Sequence, residues 1–238
     1  MSLETWLVVA AERFELGGIL RRLRGASRLS WPLAFAAAGE LRTRKWICVA
    51  NGPGPELAGQ AVDAALGRES GISRLLSVGL CGALNPGYRV GEIFAAVEVR
   101  TPGGQAYPAV APVSGRPFHK GVLVSLDHVA QSAAEKRALR ERFGGDAVEM
   151  EAGAVAARAW RANLPFHCVR AVSDAAADGF SLDFNTARSP DGRFSAWKVV
   201  ISALERPWTR VPELFRLARD SRRAALGLGE FLAECEFC

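Results

Sequence analysis

The sequence predicts an α/β protein in which mostly parallel strands alternate with helices that cover the sheet. Short apolar runs at 6–11, 46–50, 75–78 and 166–172 have the length and composition of buried strands. Helical or small-residue stretches at 13–23, 57–66, 132–143 and 153–159 alternate with them, and glycine-rich or polar turns close several of the runs. In open α/β sheets those turns are where ligands are held.

Taken in order, residues 6–11 form a first strand, and Phe14, Leu16, Ile19, Leu20 and Leu23 recur at helical spacing over 13–23. Residues 35–37 and 46–50 read as a hairpin whose second strand feeds Asn51-Gly52-Pro53-Gly54. That loop lets backbone approach a ligand closely, but the spacing after Gly54 fails the dinucleotide fingerprint. Alanine-rich 57–66 follows as a helix, then a strand at 75–78 that ends in Gly79-Leu80-Cys81-Gly82, a turn at Asn85-Pro86-Gly87, and a strand at 93–99. Prolines and glycines break up 101–120, which is expected to be loop. A strand at 121–125 leads to a helix at 132–143 whose flanking charges predict a solvent-facing element.

Residues 147–178 organise the rest. Gly153 and the alanines after it make a narrow helix able to lie close to a sheet, and Asn163-Leu164-Pro165 stops it. An apolar strand over 166–172 carries a charged Arg170 and runs into Ser173-Asp174. Glu149 and Glu151 flank Met150 where the helix begins, and free amides there favour anions. Glu151 and Asp174 are therefore expected to converge on one crevice. Each also has a plain reading, Asp174 as a loop cap and Glu151 as a helix-start carboxylate.

With 238 residues, 49% hydrophobic and 23% charged, one compact domain over 1–238 is expected, with an amphipathic C-terminal helical segment at about 197–232. The latter part of that segment sets Leu214, Phe215, Leu217, Ala218, Ser221 and Leu228 among Arg216, Arg219, Arg222 and Arg223. It reads as a helix covering the sheet, or as one docking on an anionic membrane surface. The net charge of +5 lacks the aromatic interleaving of a nucleic-acid site, and no nucleic-acid partner is expected. Residues 6–11 are too short to span a bilayer and too acidic at their flanks for a secretory signal, so a cytoplasmic location is expected. The five cysteines, an odd number, fit reduced thiols, and Cys235-x-x-Cys238 reads as plain tail. His119, His128 and His167 are not spaced as metal ligands, and no metal or cofactor is expected.

Val148-Glu149-Met150-Glu151-Ala152, followed by Val169-Arg170-Ala171-Val172-Ser173-Asp174, resembles the paired signature of the purine nucleoside phosphorylase and methylthioadenosine/S-adenosylhomocysteine nucleosidase superfamily. Asn51-Gly52-Pro53-Gly54 is similar to its first glycine loop, and residues 77–84 with Val90-Gly91-Glu92 to its second. The resemblance implies a single-domain three-layer αβα fold with a twisted mixed sheet, and a homo-oligomer. It implies that Asp174, oriented by Ser173, serves the purine, that Glu151 accepts from ribose hydroxyls over Met150, and that Glu149 and Gly79 belong to the substrate site. Glu15 matches the carboxylate beside an attacking water, with Glu12 as competitor. Ser77 and Leu80 stand where the bacterial phosphorylase branch has an arginine and a hydroxyl residue for phosphate, which tilts the expectation toward hydrolysis. Phosphorolysis and a non-catalytic nucleoside-binding protein are the alternatives. Phe118, Phe180 and Phe184 are candidates for stacking on the base, and the arginine-rich tail is similar to the hopanoid-associated branch, which acts on an adenosyl lipid.

Overall fold

The computed structural model describes residues 4–180 and 207–237. A 10-stranded mixed sheet forms the centre. Its strands are β1 (Glu4–Ala10), β2 (Arg24–Arg28), β3 (Phe35–Leu41), β4 (Arg44–Ala50), β5 (Ile72–Ala83), β6 (Ile93–Arg100), β7 (Ala106–Pro108), β8 (His119–Ser125), β9 (Ala147–Glu149) and β10 (Phe166–Asp174). The strand order is β10-β6-β8-β9-β5-β1-β4-β3-β2, and β10 also pairs with β5. Strands 5, 10, 6, 8 and 9 therefore close on themselves, while β1, β4, β3 and β2 extend from β5 as an open wing. Closure removes two sheet edges, and the long β5 pairs in both halves.

Helices lie on both faces: α1 (Gly17–Leu20), α2 (Pro55–Leu66), α3 (Ala133–Phe143), α4 (Ala152–Arg161) and α5 (Pro207–Glu234). β1 shows why. Its Leu7 and Val9 pack into a core with Ala58, Ala61 and Val62 of α2 and Val155 and Ala159 of α4. The alternate residues Trp6, Val8 and Ala10 pack into a second core with Ile19, Ala224, Leu228 and Phe231 under α5. A strand covered on both sides needs apolar residues at every position, which is the run seen in the sequence.

The terminal helix is tied down at two points. A side chain at Gly18 would place its Cβ 2.7 Å from the Cα of Gly229, so α1 and α5 cross where neither has a side chain. Arg42, in the β3–β4 turn, donates to the carbonyls of Ala233 (2.9 Å) and Glu234 (3.2 Å) at the end of α5. Gly229→Val should therefore lower the unfolding temperature, by the ~1–3 kcal/mol typical of overpacking. An unchanged melting curve would show that the crossing is not tight.

Several expectations need correction. The periodicity over 13–23 does not make one helix: a 3-10 turn, Arg13–Leu16, precedes the short α1, and Phe14 is 46% exposed. Residues 101–120 are not all loop, because β7 pairs with β6 and β8 begins at His119. The helix α3 is not wholly solvent-facing, because Lys136 is fully buried. The terminal helix covers the sheet and begins at Pro207, a residue suited to a first helical turn. The helical part expected before it, Phe184 and Cys238 all lie outside the described residues. His167 is a core residue, its Nδ1 2.7 Å from the carbonyl of Val110. Arg44 pairs with Glu4 and Lys45 with Glu69. Among the described residues, no helix is long and apolar enough to cross a membrane.

Candidate active site

β1, β4, β5 and β10 run parallel, so their C-terminal ends share one edge of the sheet. Glu15, Glu149, Met150, Glu151, Ser173 and Asp174 sit at or just beyond that edge, and Gly79 lies in β5 beneath Glu15. After β1 the 3-10 turn brings Glu15 back over β5. Its Oε2 accepts the amide of Glu12 (2.8 Å) and its Oε1 the amide of Leu80 (3.0 Å). Gly79 has φ +151°, and a Cβ there would lie 2.6 Å from Glu15 Oε1, so only glycine admits the carboxyl group. Glu12, the competitor, is exposed. Burial pushes the Glu15 carboxyl up to about 7, against the pull of the Glu12 and Leu80 amides and the Arg170 charge.

The two glutamates of the β9–α4 junction divide their duties. Glu149 caps the helix: its Oε2 accepts from the amides of Glu151 (3.0 Å) and Ala152 (2.9 Å) and from the Arg170 guanidinium (2.6 Å). Arg170, 1% exposed, also donates to Ser77 Oγ (2.8 Å). The helix-start reading thus falls on Glu149 rather than Glu151. Glu151 instead reaches across to the first glycine loop, where Oε1 accepts the amide of Gly54 (2.6 Å). Burial, then the neighbouring Glu149 and Glu15, push its carboxyl up to about 8. Met150, between the two, is buried.

These raised carboxyls have a thermodynamic consequence. A group whose pKa is higher folded than unfolded contributes stability that is complete below its unfolded value, about 4.3, and is lost as pH rises through its folded value. For Glu151 the loss runs up to about pH 8. Glu151→Gln should therefore melt at a higher temperature than the wild type at pH 8.5 and at nearly the same temperature at pH 5. Melting curves displaced equally at both pH values would refute this assignment.

Asp174 ends β10 opposite Gly82, where an added Cβ would lie 2.8 Å from its Oδ2. Its Oδ1 is 2.6 Å from Ser173 Oγ, which is also 3.0 Å from the carbonyl of Cys81. Its Oδ2 receives the ammonium of Lys136. That ammonium also donates to the carbonyl of Ala175 (2.8 Å) and lies 5.5 Å from the Phe180 ring centre. Of the aromatic candidates, Phe180 is thus beside the acid, while Phe118 packs on Phe231 under α5. Glu15 and Asp174 meet β5 at residues 79–80 and 82, roughly 7–10 Å apart at strand rise, a span suited to a sugar and its base. Burial pushes up the thiol of Cys81, between them, against the pull of the Arg170 charge.

Sequence reasoning missed Lys136. The signal was present: Lys136, Leu139 and Phe143 follow at i, i+3 and i+7, and the latter two pack on the core formed by Leu84, Val124 and Leu126. A lysine in that stripe points inward.

Residues 34–192, well over half the chain, match the family model described as Phosphorylase superfamily. The chain belongs to that superfamily. Similar solved structures include a 5′-methylthioadenosine/S-adenosylhomocysteine nucleosidase from Neisseria meningitidis in complex with methylthio-immucillin-A, with TM-score 0.73, 19% identity and 97% of each chain covered. A mutant futalosine hydrolase of Helicobacter pylori gives TM-score 0.71 at 15% identity over 97% of each chain. An S-adenosylhomocysteine nucleosidase from Streptococcus pyogenes in complex with 5-methylthiotubericidin gives 0.71 at 19% over 98% of each. A comparison with curated proteins finds no match. At these identities the likeness shows the superfamily's fold, a nucleoside phosphorylase-like mixed sheet between helices.

Proposed function

We propose that the protein hydrolyses the N-glycosidic bond of a purine nucleoside or adenosyl compound. The observation that carries this reading is the Glu15 carboxyl, buried and bound to the Leu80 amide. In this superfamily phosphate is the competing nucleophile, and here a side chain of the protein itself occupies the amide that could have bound an anion. The Arg170 cation does lie beside Ser77, yet it is buried and neutralised by Glu149. A buried ion pair of that kind braces the site and leaves little positive charge for phosphate. The similar structures named as nucleosidases and a hydrolase agree with this reading.

The residues then divide the work. Glu151 accepts from two ribose hydroxyls, with Met150 packed beneath the sugar and Glu149 fixing the start of α4. As the bond from C1′ to the base breaks, its electron pair moves onto the base, which Asp174 neutralises through a proton on the base nitrogen while Ser173 orients it. The sugar gains oxocarbenium character beside the carboxylates. Glu15, near pH 7 in its titration, takes a proton from the water that attacks C1′. A protein that only binds nucleosides has no use for a carboxyl held in that position.

The test is base release from a panel of adenosine, a 5′-alkylthioadenosine, inosine and uridine in phosphate-free buffer, followed by chromatography. Release from purine nucleosides and none from uridine is expected. Purine binding without release from any of them would leave the binding-protein reading in its place. The membrane reading draws on Arg219, Arg222, Arg223 and the exposed Phe215 of α5, and it predicts sedimentation with anionic but not neutral vesicles.

A further inference from the structure

Neither oxygen of Asp174 is free. Oδ1 is engaged by Ser173, and Oδ2 holds a buried lysine ammonium. Lysines ordinarily extend their charge to water, and taking an ammonium out of water costs several kcal/mol before the ion pair offsets it. On α3, Arg137, Arg140 and Arg142 stay at least partly exposed, whereas Lys136 is 0% exposed. The fold therefore directs this one cation to Oδ2 of Asp174, with Phe180 alongside.

We propose that Lys136 supplies the proton taken up by the departing base, with Asp174 passing it on. This rests on the glycosidic cleavage proposed above. One proton leaves Lys136 Nζ for Asp174 and one leaves Asp174 for the base nitrogen, as the electron pair of the C1′–N bond moves onto the base. The proton released by the attacking water goes to Glu15. The cycle ends with a protonated Glu15 and a neutral Lys136 amine, and one proton returning through solvent restores both, so the sum is nucleoside plus water giving base plus free sugar.

Lys136→Arg tests the idea, because a guanidinium keeps the charge and the hydrogen bonds but does not give up a proton in a protein. Its kcat for the unmodified nucleoside should fall ~10²-fold or more, with KM within about threefold. The 7-methylated counterpart of the same nucleoside already carries a positive charge that takes up the electron pair, so its base leaves neutral without a proton and the loss on it should stay under about tenfold. Lys136→Gln, which still donates to Asp174, should show the same split if the longer arginine disturbs the fold. Equal losses on both substrates, or kcat within threefold of wild type on the unmodified one, would overturn the proposal. If the wild type releases base from neither substrate, the cleavage reading itself falls, and the role of Lys136 with it.

Discussion

Asp174→Asn is expected to reduce kcat for base release by ~10²–10⁴-fold while moving KM only a few-fold, the range for loss of a positioned proton-transfer group. Asparagine has nearly the shape of the acid and still accepts from Ser173, but it can no longer relay a proton or balance the charge on the base. The substitution also leaves Lys136 buried against a neutral partner, and breaking a buried pair costs about 3–5 kcal/mol. The variant should thus melt at a lower temperature than wild type, and the double change Asp174→Asn with Lys136→Met should regain part of that stability without regaining turnover. Steady-state kinetics beside thermal melts separate the two effects. Turnover near wild type in a folded Asp174→Asn protein would remove the acid from the chemistry.

Glu15→Gln should abolish hydrolysis to a similar degree and leave nucleoside binding intact, since the amide can still face Leu80 but cannot accept the water's proton. The pH dependence supplies a second signature. The carboxyl must be ionised to act as base, and burial has raised it to about 7, so kcat/KM should climb as pH rises through 7, with Glu151, raised to about 8, extending the climb. A Glu15→Gln protein with residual activity should lose the part of that slope centred near pH 7 and keep the part Glu151 produces near pH 8. An unchanged limb near pH 7 in the variant would mean that another group produces it, and Glu12 would return as the candidate.

Much of this site was legible before the coordinates. Glu151 and Asp174 stood in two recognisable blocks, and strands such as β1 and β10 announce themselves because burial on both faces demands unbroken apolar sequence. The less legible parts share a physical reason, which is that their conformation is set by partners distant in the chain. β2, Arg24–Arg28, is exposed throughout and exists only as an edge to β3, so it carries no apolar alternation. β7 spans three residues in a proline-rich stretch and is defined by β6. The exchange of duties between Glu149 and Glu151 depends on Arg170 and Gly54, one on each side of the junction. Lys136 was hidden by its own charge: the surrounding charged residues suggested a solvated helix, although the i, i+3, i+7 stripe already included it.

The measurement that bears most directly on the account is the identity of the sugar released from a 5′-substituted adenosine in a large excess of inorganic phosphate. Phosphorus NMR should show phosphate unchanged while free base and a reducing sugar accumulate together. A sugar 1-phosphate appearing in step with the base would contradict the central claim that Glu15 and water, rather than phosphate, complete the reaction.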